Sequence, residues 1–296
     1  SAYVRHLNSI IDGRSLAGPR VVVDAANGAA SRLAGDALRA LGVDLEVIAD
    51  QPDGRNINSG CGATHPGMLA DTVRQRGADL GFALDGDADR VMAVDATGRI
   101  LDGDHIMAML ALDLRARGAL SGETLVVTVM SNLGLRQAME AEGIAIIETP
   151  VGDRHVAEAL RVGGHSLGGE QSGRIILAGH APSGDGLATS VALLDLIIRS
   201  GRTLADLARA AMTALPQTLL NVEVDPAGPS ASTLVNEVAA TIAEVERRLA
   251  GSGRELVRPS GTEPLVRVMV EAPTSEIAES SAGTIAEAIR NHSASG

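Results

Sequence analysis

Three aspartates at alternate positions, Asp85, Asp87 and Asp89, are the residues whose spacing most clearly suggests chemistry. They follow the apolar run Leu80–Leu84, which is typical of a buried strand. Carboxylates this close repel one another by about 1 kcal/mol per pair at 4 Å even in water. A divalent cation would remove that repulsion, and oxygen ligands that leave room for a phosphate oxygen favour Mg²⁺ over a closed Ca²⁺ site. A polar turn with solvated acids is the alternative.

Two other kinds of acidic loop fit less well. An EF-hand loop starting at Asp85 needs Gly at its sixth position and Glu at its twelfth, where Arg90 and Ala96 stand. A haloacid-dehalogenase-type phosphatase needs a small hydroxyl residue or Val where Ala88 stands, and a distant Lys. All 25 basic residues are Arg. The absence of Lys also excludes P-loop ATPase, Schiff-base and pyridoxal phosphate chemistry, because each requires an amine.

The composition is that of a globular chain of 296 residues, long enough for two or three domains. Aromatic residues make up only 1%, so aliphatic residues must fill the core and stacking platforms for nucleic acid are lacking. A net charge of −12 also opposes nucleic-acid binding, so phosphate recognition must be local and based on Arg. The single cysteine, Cys61, excludes a disulfide framework and fits a cytoplasmic location. No membrane-spanning run is expected.

Strand-like and helix-like segments alternate over most of the chain, first over 20–101 and again over 103–211. This alternation predicts an α/β fold with two similar domains, each a mixed sheet with covering helices. After Pro216 a strand, one long helix over 233–249, a strand pair and a final helix predict a smaller α+β C-terminal domain. The predicted domains are 1–102, 103–214 and 215–296. Residues 24–28 and the aspartates both follow strands, so we expect them to face one crevice.

Two further motifs offer ligand groups. Residues 168–174, Gly-Gly-Glu-Gln-Ser-Gly-Arg, place Glu170 and Ser172 among glycines, where they can hydrogen-bond neighbouring sugar hydroxyls. Residues 258–264, Arg-Pro-Ser-Gly-Thr-Glu-Pro, are followed by Arg267 and can direct backbone N–H groups, hydroxyls and a guanidinium at one phosphate. A surface turn and a hairpin turn with a solvated Arg are the respective alternatives.

These motifs, with four shorter ones in the same order, resemble the α-D-phosphohexomutases. The combination looks most like the bacterial phosphoglucosamine mutase branch, because Gln171 stands where phosphomannomutase and phosphoglucomutase relatives usually have Met. The resemblance covers essentially the whole chain. The seven matching segments are 21–28, 56–58 with 61–66, 85–90, 130–134, 151–154, 169–173 and 258–264.

The resemblance implies an intramolecular phosphotransfer between glucosamine 6-phosphate and glucosamine 1-phosphate. The reaction passes through a bisphosphate and serves UDP-N-acetylglucosamine and cell-wall precursor synthesis. Asp85, Asp87 and Asp89 would hold Mg²⁺, and Arg90 would be a catalytic residue that steadies the transferring phosphoryl group. The implied substrate-binding residues are Asp153 and Arg154 for orientation, Glu170 and Ser172 as sugar clamp, and Arg258, Ser260, Gly261, Thr262 and Arg267 as phosphate anchor. For Asp153 and Arg154 a helix-start salt bridge is the alternative.

The sequence departs from the family pattern in three places. The family carries its phosphorylated serine on a Ser-Ala-Ser-His-Asn-Pro-like loop of a first domain, and these 296 residues contain no such loop. The chain is therefore expected to correspond to domains two to four, with the N-terminal domain missing, and to be inactive alone. Ala88 replaces a usual Gly, which is tolerable if its φ is negative. Arg174 stands where His is common, so a general-base role there is in doubt.

The remaining alternatives concern function and four polar residues. A non-catalytic sugar-phosphate-binding protein fits the same motifs, as does phosphomannomutase or phosphoglucomutase specificity. A hexosamine phosphate is the expected partner, with no nucleic acid or membrane, and a homodimer is left open. We expect Asn27, Cys61, His65 and Asn132 to fix turns or pack rather than to act in catalysis.

Overall fold

The computed structural model describes residues 2–225, 228–260 and 263–293. The chain forms two compact units. Unit 1 comprises Ser1–Ser131 and Leu135–Thr213, and unit 2 comprises Asn132–Gly134 and Ala214–Gly296. Unit 1 contains two α/β sheets and unit 2 a smaller α+β arrangement, so the predicted fold class is confirmed. The domain boundary placed after residue 102 lies within unit 1 and stays a prediction.

The first sheet of unit 1 has five strands in the order β2-β1-β3-β4-β5. Strand β1 pairs in parallel with β2 and β3, whereas β4 and β5 continue the sheet antiparallel. All five residues of β3 are buried, which explains its unbroken apolar run. The elements are α1 (Ala2–Ile10), β1 (Arg20–Asp24), α2 (Leu33–Ala40), β2 (Asp44–Ile48), α3 (Gly67–Arg76), β3 (Leu80–Leu84), β4 (Val91–Asp95) and β5 (Ile100–Leu101).

The second sheet has four strands in the order β7-β6-β8-β9, and it repeats the topology of the first four strands. Strand β6 is parallel to β7 and β8, and β9 is antiparallel to β8. The elements of this segment are α4 (Gly103–Ala116), β6 (Thr124–Thr128), α5 (Leu133–Ala141), β7 (Ala145–Thr149), α6 (Asp153–Gly163), β8 (Leu167–Gly169), β9 (Ile175–Leu177), α7 (Gly186–Ser200) and α8 (Leu204–Ala211).

Unit 2 has an antiparallel sheet in the order β10-β12-β11 with helices packed on an aliphatic core. The predicted single helix over 233–249 is wrong, because the segment forms two helices that meet at Val238. This residue has φ −92° and ψ 9°, and its side chain is buried in the core. The elements are β10 (Gln217–Glu223), α9 (Ala231–Glu237), α10 (Ala239–Leu249), β11 (Arg254–Pro259), β12 (Leu265–Glu271) and α11 (Ser275–Ser293).

Three elements were not predicted individually from the sequence: helix α1, which precedes the alternating segment 20–101, and strands β4 and β5 at the end of that segment. Strand β4 matters for the site, because it begins immediately after the aspartates and fixes where they leave the sheet. Within the described ranges, no helix combines the length and the apolar character needed to cross a membrane.

Candidate functional site

The loop of residues 85–90, called the aspartate loop, connects β3 to β4 at the carboxyl end of β3. It brings Asp85, Asp87 and Asp89 together, with one carboxylate oxygen of each within 4.8 Å of the others. Asp85 is buried, Asp89 is half-buried and Asp87 is exposed. Burial is the main factor that raises the pKa of the Asp89 carboxyl; Arg174 acts against it, and the charges of Asp85 and Asp87 act with it.

Two arginines already pair with these carboxylates. Asp85 accepts hydrogen bonds from the backbone N–H of Arg90 at 3.1 Å and from its Nε at 2.6 Å. Asp89 is ion-paired through Oδ2 with Nη2 of Arg174. Asp87 makes no hydrogen bond or ion pair with the described part of the chain.

The donor set of the aspartate loop fits a hard divalent cation. All three side chains offer oxygen, and Oδ1 of Asp89 is buried without a hydrogen-bond donor in the described residues. Nε of Arg90 lies 3.8 Å from this oxygen, which is beyond hydrogen-bond distance. A buried carboxylate oxygen that accepts no hydrogen bond is costly, and a cation would satisfy it. Asp87 stays open to solvent, so the site has an entry side.

The aspartate loop turns through a left-handed residue at Ala88. Its φ is +61°, so the condition under which Ala in place of Gly would be tolerable, a negative φ, is not met. The backbone is held there from both sides, because the Ala88 N–H donates to Asp85 O at 3.0 Å and its carbonyl accepts from Gly186 N–H at 2.9 Å. An L-residue in this region is strained by about 1–2 kcal/mol, which is why a Gly is common in such turns.

A Gly-Asp-Gly segment that the sequence analysis missed packs against the aspartate loop. A Cβ on Gly184 would lie 2.9 Å from Asp89 O, and one on Gly186 would lie 2.5 Å from Arg90 O, so both positions need glycine. Between them, Asp185 caps α7 through Ala188 N–H. The available signal was an Asp flanked by glycines directly before an apolar helix.

Helix α1 is connected to this segment through Tyr3. Its hydroxyl donates to the Asp185 carboxylate, with both oxygens at 2.8 Å. Burial, followed by the charge of Asp185, raises the pKa of the Tyr3 phenol well above its usual value. The phenol therefore stays a hydrogen-bond donor and keeps the Gly-Asp-Gly segment in place.

The loop of residues 170–174, called the clamp loop, lies between β8 and β9 beside the aspartate loop. Oε1 of Glu170 accepts a hydrogen bond from Gly152 N–H at 3.1 Å, and the side chain of Ser172 is exposed. Gly173 accepts a bond from the N–H of Val91 at the start of β4, and Arg174 forms an isolated antiparallel bridge with Arg90. The two loops are thus joined through their backbones.

The start of α6 contributes one of its two predicted residues to this region. Oδ2 of Asp153 lies 3.3 Å from Nη1 of Arg174, next to the clamp loop. Arg154 is exposed, and its Nε lies 3.5 Å from the Nε2 of His155. Among the described residues no ion pair joins Asp153 to Arg154, so the helix-start salt bridge offered as an alternative is not formed.

Residues 24–28 also meet the aspartate loop, as expected for neighbouring parallel strands. A Cβ on Gly28 would lie 2.2 Å from Gly86 O, and the N–H of the next residue, Ala29, donates to the same oxygen at 2.8 Å. Asp24 is buried, accepts from the N–H groups of Ala26 and Gly62, and has a pKa raised chiefly by its burial. These contacts fix the crevice rather than supply ligands to it.

The four other polar residues singled out from the sequence take part in local packing. Oδ1 of Asn27 accepts from Gln51 N–H, and its Nδ2 lies 3.7 Å from the buried Sγ of Cys61. In unit 2, Oδ1 of Asn132 accepts from the N–H groups of Gly134 and Leu215. His65 is exposed at the start of α3, and its Nδ1 lies 3.2 Å from the Thr64 hydroxyl.

The second predicted site lies in unit 2, on the hairpin of β11 and β12. Arg258 and Arg267 are directly opposite each other in the strand register. Burial, followed by the Arg267 charge, lowers the pKa of the Arg258 guanidinium. Nη2 of Arg267 pairs with Oε2 of Glu263 at 3.1 Å, while its Nε is buried without a described acceptor. Like charges placed directly opposite destabilise a sheet, and a bound anion would relieve this.

The hairpin turn between these strands is described only in part. The Ser260 N–H donates to Leu265 O at 2.9 Å, and its hydroxyl accepts from Glu263 N–H at 3.3 Å. Gly261 and Thr262, two residues of the predicted anchor, lie outside the described residues.

The chain thus has the aspartate loop, whose oxygens fit a cation, beside the glycine-rich clamp loop, and an arginine-bearing hairpin in a separate α+β unit. This combination is typical of a phosphohexomutase-type α/β protein. Three family models match the chain. They are phosphoglucomutase/phosphomannomutase alpha/beta/alpha domain II over residues 1–98, alpha/beta/alpha domain III over 102–215 and the C-terminal domain over 219–288. The chain belongs to the phosphoglucomutase/phosphomannomutase family, as the resemblance of its motifs predicted.

Curated relatives of high similarity are named phosphoglucosamine mutase. The chain is 51% identical to that of Streptomyces avermitilis over 290 residues, which is 98% of this chain and 63% of the relative. It is 52% identical to that of Thermobifida fusca over 290 residues, 98% of this chain and 64% of the relative. The chain therefore spans less than two thirds of the length of these relatives.

Solved structures support the fold. A phosphoglucomutase/phosphomannomutase family protein of Burkholderia thailandensis matches with a TM-score of 0.80 and 24% identity, over 97% of this chain and 64% of the other. An Aspergillus fumigatus N-acetylphosphoglucosamine mutase in complex with GlcNAc-6P and magnesium matches with a TM-score of 0.76 and 22% identity, over 98% and 65%.

Proposed function

We propose that the chain supplies the metal-binding, sugar-binding and phosphate-anchoring domains of a phosphoglucosamine mutase. The reaction interconverts glucosamine 6-phosphate and glucosamine 1-phosphate through a bisphosphate intermediate, and it serves UDP-N-acetylglucosamine and cell-wall precursor synthesis. One observation carries the proposal. Carboxylate oxygens of the three aspartates lie within 4.8 Å of one another, and their loop is joined to the clamp loop by the backbone bridge between Arg90 and Arg174. Because the substrates are soluble metabolites, we expect a cytoplasmic protein.

The aspartate loop is proposed to hold Mg²⁺ through Asp85, Asp87 and Asp89. The ion, when bound, would neutralise charge on a phosphoryl group and so favour its transfer. Arg90 is held by its Nε against Asp85, and its two Nη atoms donate no hydrogen bond to the described residues. These N–H groups are proposed to donate to the phosphoryl oxygens as charge shifts during transfer.

The clamp loop and the start of α6 are proposed to orient the sugar. Glu170 uses Oε1 to accept from Gly152, which leaves Oε2 for a sugar hydroxyl, and the exposed Ser172 can donate to another. Arg154 is exposed close by in sequence, whereas Asp153 is engaged by Arg174. Asp153 is therefore proposed to act on the sugar through Arg174.

The hairpin in unit 2 is proposed to anchor the phosphate that does not react. Arg258 and Arg267 oppose each other, and Nε of Arg267 is buried without an acceptor among the described residues, so an anion with several oxygens suits them. Ser260, Gly261 and Thr262 complete the proposed anchor. A site that accepts either end of the bisphosphate fits a reaction in which the sugar turns over.

The choice of glucosamine rests on Gln171 and on the names of the relatives at 51–52% identity. The test is to compare kcat/KM for glucosamine, glucose and mannose 6-phosphates in the 296-residue chain combined with a family domain I and Mg²⁺. The proposal expects glucosamine 6-phosphate to be preferred. Preference for mannose or glucose phosphate would assign another specificity of the family. Binding of all three without turnover would favour a non-catalytic sugar-phosphate-binding protein.

A further inference from the structure

The guanidinium of Arg174 lies where it can neutralise the aspartate loop in place of a bound metal cation. Its Nη2 is paired with Oδ2 of Asp89, and its Nη1 lies 3.3 Å from Oδ2 of Asp153. The side chains of Arg174 and Asp89 are each 24% exposed, so the pair is only partly screened by solvent. One guanidinium thus bridges a proposed metal ligand and the first residue of α6.

The neighbouring residues hold Arg174 in this place. Its backbone is fixed by the bridge to Arg90 and by the Glu170 N–H, which donates to Arg174 O at 2.9 Å. A Cβ on Gly184 would lie 2.5 Å from Cγ of Arg174, so the stem passes through a space that only glycine leaves open. Nε of Arg174 is buried without a described acceptor, and the two carboxylates are what position the guanidinium.

A divalent cation and Arg174 compete for Asp89. Oδ2 of Asp89 is already used, and a cation near Oδ1 would lie within a few ångströms of the guanidinium, where like charges repel. Arg174 can leave Asp89 without becoming a buried unpaired charge, because Asp153 stays within reach of its other Nη atom. Among the described residues, the ion pairs of the Arg90 guanidinium are to Asp85 and Asp89 of its own loop, so Arg90 lacks a comparable acid on another element.

We infer that Arg174 is an internal counter-cation of the aspartate loop, which holds Asp89 in the metal-free chain and transfers to Asp153 when a divalent cation binds. Arg174 therefore lowers the Mg²⁺ affinity of the loop. It also links metal binding to the start of α6 and to the clamp loop, where the sugar is expected. This inference rests on the proposed Mg²⁺ site and adds a positioning residue to it.

The test is calorimetric titration of Mg²⁺ into the 296-residue chain and its variants. Arg174→Gln should bind Mg²⁺ about tenfold more tightly than wild type, because one charged hydrogen bond no longer competes for Asp89. Arg161→Gln is the matched control. It removes the same charge from α6, where Arg161 is exposed and pairs with Glu158. Unchanged or weaker binding in Arg174→Gln would overturn the inference.

A double-mutant cycle tests the transfer to Asp153. Asp153→Asn should weaken Mg²⁺ binding in the wild-type background, because Arg174 is then left with Asp89 alone. The same change should have a clearly smaller effect in the R174Q background. Equal effects in both backgrounds would contradict the transfer. Arg174→Lys keeps the positive charge near Asp89, so it should bind Mg²⁺ more weakly than Arg174→Gln.

Asp87→Asn separates failure of this inference from failure of the metal site. Asp87 has no arginine partner among the described residues, so its loss should weaken Mg²⁺ binding whatever Arg174 does. If Asp87→Asn weakens binding while Arg174→Gln leaves it unchanged, only the inference is wrong. If neither the wild-type chain nor any variant binds Mg²⁺, the proposed metal site is wrong and the inference is wrong with it.

Discussion

The aspartate loop and the clamp loop occupy equivalent places in two sheets of the same topology. Each connects the third strand of its sheet to an antiparallel fourth strand, β3 to β4 and β8 to β9. Each ends in an arginine, and these two residues, Arg90 and Arg174, are paired by a backbone bridge. One loop carries cation ligands and the other carries groups suited to sugar hydroxyls, so the repeated fold supplies positions and the loop residues supply the chemistry.

The two arginines differ in where their charges go. Arg90 pairs with Asp85 of its own loop, whereas Arg174 pairs with Asp89 of the other loop and with Asp153 of α6. The aspartate loop is thus neutralised partly from within and partly by its counterpart. In the clamp loop, Arg174 forms its ion pairs with acids outside that loop, Asp89 and Asp153. Glu170, the acid of the clamp loop, accepts a hydrogen bond from Gly152 N–H through Oε1.

The largest expected effect is on turnover. Neither loop contains a serine like that of the Ser-Ala-Ser-His-Asn-Pro-like loop, so the 296-residue chain should bind sugar phosphate without sustained conversion to glucosamine 1-phosphate. A coupled assay with Mg²⁺ and glucose 1,6-bisphosphate measures this. Turnover above that of Asp87→Asn would mean that a serine within these residues, such as Ser172, accepts the phosphoryl group. In that case the family's domain I would not be needed for turnover. If the proposal is right, adding a separately expressed domain I should restore slow turnover.

The next prediction is that substitutions in the two loops affect different ligands, Mg²⁺ for the aspartate loop and sugar phosphate for the clamp loop. Asp87→Asn should weaken Mg²⁺ binding at least 10-fold, since even residues behind metal ligands typically contribute 10–100-fold. Glu170→Gln keeps Oε1 as acceptor for Gly152, so it should leave Mg²⁺ binding intact and weaken glucosamine 6-phosphate binding. Calorimetric titration of each ligand into both variants checks this. Loss of Mg²⁺ binding in Glu170→Gln would contradict the division of roles.

The arginine hairpin of unit 2 provides a third comparison, since it has an excess of positive charge where the aspartate loop has an excess of negative charge. Arg258→Ala should reduce binding of glucosamine 1-phosphate and 6-phosphate alike by about 1.5–3 kcal/mol, the range for a charged hydrogen bond. Binding of Mg²⁺ should be unchanged. Titrations of both isomers into the 296-residue chain measure this. A variant that distinguishes strongly between the isomers would remove the anchor assignment.

Local patterns predicted much of what positions these loops. The buried run of β3 and the spacing of the aspartates marked the loop, and the second alternating segment was predicted to start at residue 103, where helix α4 begins after its cap residue Asp102. Contacts between distant residues were not predictable in this way. Arg174 and Asp89 are paired across the two sheets' loops, and Tyr3 meets Asp185 across 182 positions. Periodicity indicates which residues are buried, and it does not indicate which charges meet.

The smallest expected effect concerns the backbone of the aspartate loop. Ala88 has φ +61°, and Ala88→Gly should relieve strain of about 1–2 kcal/mol while it adds about 0.5–1 kcal/mol of unfolded-state entropy. The variant should therefore be more stable by up to about 1.5 kcal/mol in thermal unfolding. Ala96→Gly is the matched control, because Ala96 is an exposed turn residue of the same unit without a positive φ. It should be slightly less stable than wild type. In the clamp loop a glycine, Gly173, already stands at a position with positive φ, so backbone strain at Ala88 would distinguish the two loops. If both substitutions destabilise the chain equally, the left-handed conformation of Ala88 carries no strain and this difference between the loops disappears.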